Sequence, residues 1–569
     1  MSQELFRKSL WMPGQNYLCQ FFFCVLWLLL EFANPVTAFG QQSVVQGGGL
    51  NSVSSVRRPP NIIYIMADDM GVGDVKCFGG NRSQAETPHI DRMAQEGRMF
   101  TDAHAPVAHC IPTRLAIMTG RYAFRFQPPK PSGPWGFLNP RMSRNQKTLG
   151  TMLQSAGYHT GYVGKWHLGV TMATTDGKNQ GPDNVDYQKA ISDGPNDVGF
   201  DESFILPASL DMYPYAFLRN QRWVGRVTAQ KGWSAFNRVG PAAEDFEDDK
   251  VLDTFSTEAE SFLARRAVEK NKPFFLYFAL TAPHTPTSPG SAFRGKSRLG
   301  LYGDFLMETD DCVGRILKSL VQHGIDKETL VVFTSDHGAA AYAGNIAKAT
   351  PRQFESMQKL GHYSSGIYRG FKFSAYEGGT RVPLIIRWPG NIQPGSSESG
   401  LVALQDMMAT FSQLANVPPS DLDFPDSISF ENLLFGNSAS KRASLICRST
   451  HHFTVRQGDW KLLLCPGSGC AGNYGNSPPR NLAWQTAIQQ FGRKPVRAEI
   501  RQAPFCQLFH LGKDPTETTN LAEKNPEIVQ RLGQILDLGI QNGRTTQGPV
   551  LANDRVFNPN NDVPKFVWK

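Results

Sequence analysis

The feature that most constrains the fold is an alternation of short apolar runs with longer segments of helical periodicity. Residues 61–66 form a continuous apolar run, which predicts a strand buried on both faces. Further strands are predicted at 158–163, 274–278 and 330–333, and helices at 148–156 and 306–322. Strands that alternate with helices favour an α/β fold with a parallel sheet covered on both faces.

The chain is too long for one ordinary domain. Its 569 residues, of which 40% are hydrophobic and 19% charged, are enough for two domains with sizeable cores. Composition changes near residue 436. Short strands are then predicted at 453–456, 460–464 and 507–511, with a helix at 526–538. We therefore predict a larger domain at 59–436 and a smaller α+β domain at 437–569.

The N-terminus has the layout of a secretory signal peptide. Two basic residues precede an apolar run at 18–30, and small residues follow at 36–38. The run is short for a membrane span, so no stable membrane anchor is expected, although a retained N-terminal anchor is the alternative. We predict a signal peptide at 1–38, a flexible linker at 39–58 and a periplasmic or secreted mature protein.

The charge balance favours an anionic substrate other than nucleic acid. The formal net charge is +8, but lysines and arginines are scattered along the chain. The sequence has no zinc-finger spacing, no Walker loop and no long basic tract. Nucleic-acid binding is not expected.

Cysteine usage is consistent with an oxidising compartment. Cys447, Cys465, Cys470 and Cys506 cluster late in the chain and could form two disulfides, with three connectivities open. Cys312 lies on the apolar stripe of a predicted helix and is expected to be buried and free.

Acidic residues follow two of the predicted strands. Asp68 and Asp69 come directly after the first apolar run, and Asp336 and His337 follow the last. Binding sites of open α/β sheets lie at the carboxyl ends of the strands, so the two pairs can meet there. Several carboxylates together suit Ca²⁺. The alternative is that Asp68 and Asp69 only cap a helix or turn a loop.

A cysteine stands where an apolar, helix-like segment begins. The pentapeptide at 110–114 reads Cys-Ile-Pro-Thr-Arg, and its proline falls in the first helical turn, where proline is tolerated. Cys110 is thus placed at a helix N-terminus, where free amides and the helix dipole favour an anion. The pentapeptide resembles the C-x-P-x-R signature of the type I sulfatases, in which the cysteine is oxidised to formylglycine.

Further segments resemble the same family. Lys165 and His167 lie in a Gly-Lys-Trp-His segment after a predicted strand, and His284 lies in a Pro-His-Thr-Pro segment after another. Lys372 is the last residue of an Arg-Gly-Phe-Lys segment that a Gly-Gly-Thr-Arg-Val-Pro segment follows, and Ser209 stands where the family often has a polar pocket residue. The resemblance runs from about residue 60 to about residue 540. It implies an alkaline-phosphatase-like, mostly parallel sheet flanked by helices and a small C-terminal antiparallel sheet.

The resemblance also implies a metal site. The ligands to one Ca²⁺ would be Asp68, Asp69, residue 110, Asp336 and His337. Asparagine is frequent in the family where this chain has His337, so the chain departs from the usual ligand set. Formylglycine at residue 110 implies a formylglycine-generating enzyme as a maturation partner.

The implied reaction is hydrolysis of a sulfate monoester of a small molecule or glycan. Residue 110, as formylglycine hydrate, would attack sulfur, and Arg114 would hold that residue in position. His284 would protonate the leaving alcohol, and His167 would then remove a proton from the second hydroxyl. Lys165 and Lys372 would neutralise charge on the sulfuryl oxygens.

Two other functions are open on the sequence alone. One is a phosphomonoester or phosphonate hydrolase of the same superfamily. The other is a non-catalytic protein that binds sulfated glycans with Cys110 unmodified, since isoleucine at 111 is less common than serine or threonine after the cysteine. The natural substrate and its position in a glycan chain are not readable from the motifs.

Overall fold

The computed structural model describes most of the chain beyond the predicted signal peptide. The described residues are 58–127, 129–232, 238–269, 271–342, 353–418, 423–436, 439–450, 452–465, 467–469 and 506–556. The signal peptide and nearly all of the linker therefore lie outside the described residues. Within these ranges the chain has no helix with the length and apolarity that crossing a membrane requires.

A ten-stranded mixed sheet forms the centre of the molecule. Its strands are β1 (Asn61–Asp68), β2 (Arg98–Phe100), β4 (His159–Lys165), β5 (Glu202–Leu206), β6 (Leu218–Arg219), β7 (Arg222–Trp223), β10 (Phe274–Pro283), β11 (Thr329–Ser335), β12 (Leu384–Arg387) and β13 (Ser396–Glu398). Their order is β13-β2-β12-β11-β1-β10-β4-β5-β6-β7. The five strands from β11 to β5 are mutually parallel.

The central parallel strands are buried along nearly their whole length. Every residue of β10 and β11 is buried, as are Ile62 to Asp68 of β1. Strands that are covered on both faces need continuous apolar runs instead of alternation, and this is the pattern that the sequence carries. The four predicted strands and the α/β class are confirmed.

The described part of the chain contains eleven helices, and six of these eleven form two packed groups. The helices are α1 (Lys76–Gly79), α2 (Pro88–Glu96), α3 (Cys110–Thr119), α4 (Leu149–Ser155), α5 (Val251–Ala267), α6 (Leu301–Gln322), α7 (Gln353–Lys359), α8 (Glu377–Thr380), α9 (Met407–Leu414), α10 (Glu431–Leu434) and α11 (Pro526–Gln541). One group contains α2, α5 and α6, and the other contains α3, α4 and α9. Helix α4 begins where the sequence predicts, because the Thr148 hydroxyl accepts a hydrogen bond from the Thr151 amide at 3.0 Å.

A smaller antiparallel sheet forms the C-terminal part. Its strands are β15 (Ser444–Arg448), β16 (Phe453–Gln457), β17 (Trp460–Leu464) and β18 (Cys506–His510), in that order. Helix α11 packs on this sheet through Leu532 and Leu536. Two short pairs complete the strands, β3 (Ala103–His104) with β14 (Val402–Ala403) and β8 (Val227–Lys231) with β9 (Gly240–Ala243). The predicted C-terminal antiparallel sheet is confirmed, whereas the boundary at 436/437 stays a prediction.

The described residues contain no disulfide among the late cysteines that the sequence suggested could pair. Cys447, Cys465 and Cys506 are all free thiols, and Cys470 lies outside the described residues. Cys447 faces the central part of the molecule, where its sulfur lies 3.4 Å from the Ala105 carbonyl oxygen. Cys465 and Cys506 lie near each other, because Cys506 pairs with Leu464 across β17 and β18, but their thiols are not bonded. Cys312 is buried and free on α6, as predicted.

Candidate active site

The carboxyl ends of the parallel strands bring the predicted site residues to one edge of the sheet. Asp68 is the last residue of β1, and its backbone is level with Pro283 at the end of β10. Lys165 is the last residue of β4, and Asp336 follows β11 directly. Asp69 turns the chain away from the strand with a positive φ of 66°. Parallel pairing therefore gathers residues that are far apart in sequence.

Cys110 is the first residue of α3 and lies at this edge. It is 2% exposed, and its sulfur lies 3.2 Å from His337 Nε2. Burial raises the pKa of the thiol, and the nearby Lys372 and Lys165 only partly oppose this effect. The unmodified cysteine is thus a buried neutral thiol without the lowered pKa of a reactive thiolate.

Three carboxylates and three basic groups form what we call the strand-end cluster. It contains Asp68, Asp69, Asp336, Arg114, Lys165 and Lys372. Lys372 Nζ donates to both carboxylate oxygens of Asp69, at 2.7 and 2.9 Å. Lys165 Nζ donates to Asp68 and also to the Ser209 hydroxyl at 3.1 Å. Ser209, the least specific of the predicted site residues, thus lies beside Lys165.

Arg114 holds three strand ends together. Its Nε donates to Asp336 at 3.2 Å, and Nη1 donates to the Lys165 carbonyl oxygen at 3.2 Å. Its Nη2 lies 3.5 Å from Asp68 Oδ1. The side chain is 1% exposed and starts one helical turn after Cys110, so it fixes α3 against β1, β4 and β11.

Three histidines complete the site and are neutral in this environment. Burial, together with the positive charge of Lys372, holds the pKa of His284 well below its usual value, and burial lowers the pKa of His337 to about 4. Burial and the nearby Lys165 act in the same way on His167. Both ring nitrogens of His167 are buried without a hydrogen bond among the described residues. His284 Nε2 lies 3.6 Å from Asp69 Oδ2.

Two adjacent carboxylates have opposite pKa shifts. Although burial acts to raise it, the pKa of Asp68 lies well below its usual value because of the positive charges of Lys165 and Arg114. Burial raises the pKa of Asp69, and repulsion from Asp68 and Asp336 adds to this effect despite Lys372. Crowded carboxylates of this kind favour any additional positive charge that reaches them.

The donor atoms fit a hard divalent cation. Ligand atoms of Asp68, Cys110, Asp336 and His337 all lie within 4.8 Å of one another, as do those of Asp68, Asp69, Cys110 and His284. Asp68 Oδ1 is buried without a hydrogen bond in the described part of the chain. Carboxylate oxygens are the ligands that Ca²⁺ and Mg²⁺ prefer, and one imidazole nitrogen departs from that preference.

The segment before Cys110 is held by the C-terminal sheet, which the sequence did not predict. The Ala108 amide donates to the Arg448 carbonyl at 2.9 Å, and the Arg448 amide donates to the Pro106 carbonyl at 2.9 Å. The Phe373 amide, next to Lys372, donates to the Ala108 carbonyl at 2.7 Å. Strand β15 therefore supports both the cysteine and one of the lysines.

A second cluster of charges, which we call the charge network, lies between the central sheet and the C-terminal sheet. It contains Asp102, Glu377, Glu517, Arg381, Arg456 and Lys461. Arg456 donates to both oxygens of Asp102 at 2.7 Å, and Lys461 donates to Glu377 at 2.8 Å. The Glu377–Arg381 pair spaced by four residues was visible in the sequence, but its partners in the C-terminal strands were not.

Comparisons with known proteins identify the family. The sulfatase family model matches residues 60–417. N-acetylgalactosamine-6-O-sulfatase of Bacteroides thetaiotaomicron is 31% identical over 87% of this chain and 95% of its own length, and human arylsulfatase A is 30% identical over 87% and 90%. The chain therefore belongs to the sulfatase family, whose members hydrolyse sulfate esters, and it is an enzyme of that class.

Solved structures support the fold. A structure from work on the metabolism of multiple glycosaminoglycans by Bacteroides thetaiotaomicron is 28% identical, with a TM-score of 0.70 over 84% of this chain and 99% of that one. A sulfatase from Pseudoalteromonas shares the fold with a TM-score of 0.60 over 85% of this chain and 90% of its own, at 21% identity. The predicted alkaline-phosphatase-like architecture with a small C-terminal antiparallel sheet is confirmed.

Proposed function

We propose that the protein hydrolyses aryl or carbohydrate sulfate monoesters with a nucleophile made from Cys110 by conversion to formylglycine. The observation that carries this proposal is the position of Cys110. It begins α3 at the edge of the sheet where the carboxylates, lysines and histidines of the site converge. An inert thiol with a raised pKa is a poor nucleophile, so the modified residue explains the arrangement better than the free cysteine.

One cation, Ca²⁺ by its ligand chemistry, would be held by Asp68, Asp69, Asp336, His337 and residue 110. Asp68 lies within 4.8 Å of Asp69 in one group of ligand atoms and of Asp336 in another, and its Oδ1 is buried without a hydrogen bond in the described part of the chain, which supports this assignment. The cation would neutralise negative charge on the sulfuryl oxygens.

The remaining side chains divide into sulfate ligands and proton carriers. Lys165 and Lys372 would pair with sulfuryl oxygens, and the Ser209 hydroxyl would orient Lys165. His284 lies within 4.8 Å of Cys110, which is near enough for proton transfer to the leaving alcohol. Because its pKa is lowered in the free site, the negative charge of the bound sulfate ester would first have to favour its protonated form. Neither ring nitrogen of His167 has a hydrogen bond in the described part of the chain, so its unprotonated nitrogen could take the proton of the second hydroxyl of residue 110.

The same proposal includes export and maturation. A signal peptide at 1–38 would direct the chain to the periplasm or outside the cell, and a formylglycine-generating enzyme would act on the Cys110 segment. Peptide mass spectrometry should then show an N-terminus near residue 39 and, at residue 110, loss of the thiol with gain of an aldehyde.

The test combines that peptide mass with matched substrates. The purified protein should hydrolyse 4-nitrophenyl sulfate far faster than 4-nitrophenyl phosphate, and elemental analysis should find about one divalent cation per chain, as for a single carboxylate site. Active protein with an unmodified thiol would refute the formylglycine nucleophile. Faster hydrolysis of the phosphate would favour a phosphomonoester hydrolase, and binding of sulfated glycans without turnover would favour a non-catalytic protein.

A further inference from the structure

An exposed tryptophan lies in a segment that packs beside the loop of Ser209, a residue of the proposed sulfate site. Trp135 is 42% exposed, and the guanidinium carbon of Arg238 lies 3.4 Å from the centre of its ring. The backbone of Trp135 has a φ of 54°, a conformation that costs a bulky residue energy. A backbone conformation of this kind persists only where surrounding contacts hold it, and such positions are frequent at binding sites.

Backbone contacts place the segment of this tryptophan against the loop that carries Ser209. The amide of Gly136 donates to the Tyr213 carbonyl at 3.0 Å, and an added Cβ at Gly136 would lie 3.0 Å from the Ala208 side chain. Ala208 precedes Ser209, whose hydroxyl accepts the hydrogen bond from Lys165. A group bound beside Trp135 is therefore adjacent to the pocket that Lys165 lines.

Arg238 and Asp211 add polar groups to this surface. Arg238 Nη1 donates to the Asp211 carbonyl at 3.1 Å and lies 3.4 Å from Asp211 Oδ2. Its Nε and Nη2 make no hydrogen bond within the described residues, and its side chain is 34% exposed. The Asp211 side chain is only 7% exposed, yet its Oδ1 has no partner in the described part of the chain. A buried oxygen without a donor is costly, and a ligand hydroxyl would remove that cost.

We propose that Trp135, Arg238 and Asp211 form a subsite for a sulfated glycan that carries a second anionic group near the reacting sulfate. The sugar would pack on the exposed part of the indole, and the anionic group would accept hydrogen bonds from the free N–H groups of Arg238. A sugar hydroxyl would donate to Asp211 Oδ1. The anion is the carboxylate of a uronic acid or a second sulfate, since both fit the guanidinium fork.

This inference rests on the proposed sulfatase reaction and deepens it by naming the substrate class. The test compares kcat/KM on four substrates: 4-nitrophenyl sulfate, N-acetylgalactosamine 6-sulfate, the same sugar with a second sulfate, and a uronate-containing disaccharide of it. Arg238→Ala should lower kcat/KM on the substrates with a second anion about tenfold or more beyond any loss on 4-nitrophenyl sulfate, as expected for a charged hydrogen bond. The uronate and disulfate arms identify which anion is used.

Two further variants separate the contributions. Trp135→Ala should lower kcat/KM on all the sugars relative to the aryl ester, because stacking does not need the second anion. Arg219→Ala is the matched control, since Arg219 also stacks on an aromatic ring, that of Phe204 at 4.8 Å, near the far edge of the sheet. It should leave the ratio of sugar to aryl turnover unchanged. Equal losses on all substrates for Arg238→Ala and Trp135→Ala would overturn the subsite.

A binding measurement keeps the two proposals distinguishable. If the wild-type protein hydrolyses none of the four sulfates, the proposed reaction fails, and calorimetry with the disulfated sugar and the uronate disaccharide then decides the subsite. Binding of either by the full-length protein, weakened about tenfold by Arg238→Ala, would support the subsite without turnover. Equal affinities of wild type and Arg238→Ala, or binding of neither sugar, would refute it.

Discussion

The strand-end cluster and the charge network contain the same formal charges but differ in how those charges are paired. Each has three carboxylates and three lysines or arginines, and each joins segments that are distant in sequence. In the charge network every carboxylate lies within 3 Å of a cationic partner, as in the Glu517–Lys461 pair at 2.9 Å. Such pairing stabilises the contact between the two sheets, and Glu517 Oε1 is the atom of this network that is buried without a hydrogen bond in the described part of the chain.

The strand-end cluster is left incompletely paired. Asp68 Oδ1 in the cluster and both ring nitrogens of His167 beside it are buried without hydrogen bonds among the described residues. The pKa of Asp69 is raised to about 8, chiefly by burial. Fully paired buried charges define structure, whereas buried charges with unused atoms define a place where a cation or substrate can bind. The two clusters therefore differ in degree: more buried atoms lack a hydrogen bond in and around the strand-end cluster than in the charge network, where Glu517 Oε1 is the one such atom among the described residues.

Two cysteine variants test this separation most strongly. Cys110→Ala should lower turnover at least about 10⁴-fold, because it removes the proposed nucleophile, with little change in the free energy of unfolding. Cys447→Ala, the matched buried thiol beside the charge network, should keep turnover close to that of the wild type. Comparable losses of turnover in both variants, measured on folded protein, would contradict the assignment of Cys110.

Removal of a paired lysine from the charge network should reduce stability and leave turnover nearly unchanged. Lys461→Met would leave Glu377 and Glu517 buried without their lysine and should cost about 3–5 kcal/mol of unfolding free energy. Turnover per folded molecule should change little. Urea unfolding measures the loss, and Lys250→Met, which breaks an exposed pair with Glu247, is the control that should not alter the midpoint. An unchanged midpoint for Lys461→Met would contradict the structural role of the charge network.

The dependence of turnover on the leaving group should distinguish the roles of the histidines beside the strand-end cluster. His284→Ala should lower turnover of sugar sulfates about 10²-fold more than that of 4-nitrophenyl sulfate, because only a poor leaving group needs protonation. Lys165→Ala and Lys372→Ala should lower turnover of both substrate types alike, since a sulfate ligand acts in either case. If His167→Ala instead shows the dependence on the leaving group, the two histidine roles are exchanged.

The smallest expected effect is a change in how the free energy of unfolding depends on pH. Burial lowers the pKa of His104, which lies beside the charge network 2.8 Å from Asp102. The folded protein therefore binds fewer protons at His104 than the unfolded chain does. As pH falls below the ordinary histidine pKa of about 6.5, protonation of His104 in the unfolded chain lowers the free energy of unfolding. His104→Gln should flatten the dependence of unfolding free energy on pH in that range, by at most about 1.4 kcal/mol per pH unit. An identical slope in both proteins would show that His104 does not contribute.

The sequence predicted elements and site residues where local patterns determine them. The apolar runs of β1 and β11 require burial on both faces, so the sheet and the convergence of Asp68 with Asp336 followed from periodicity and the topology of parallel sheets. The contacts of Arg448, Lys461 and Trp135 could not be predicted in this way, because they depend on how distant segments pack. The cysteines illustrate the same limit. Their proximity in sequence suggested disulfides, but Cys447 packs against Ala105 and is a free thiol.

The hydrogen bonds between Arg448 and the Pro106–Ala108 segment also set an order of assembly during synthesis. Arg448 is made more than 300 residues after Cys110, so a growing chain exposes the cysteine segment without its final support. Until β15 and β17 have left the ribosome, neither the backbone before Cys110 nor the carboxylate of Glu377 has its C-terminal partner. The C-terminal sheet, which is translated after most of the central sheet, therefore completes the support of the segment before Cys110.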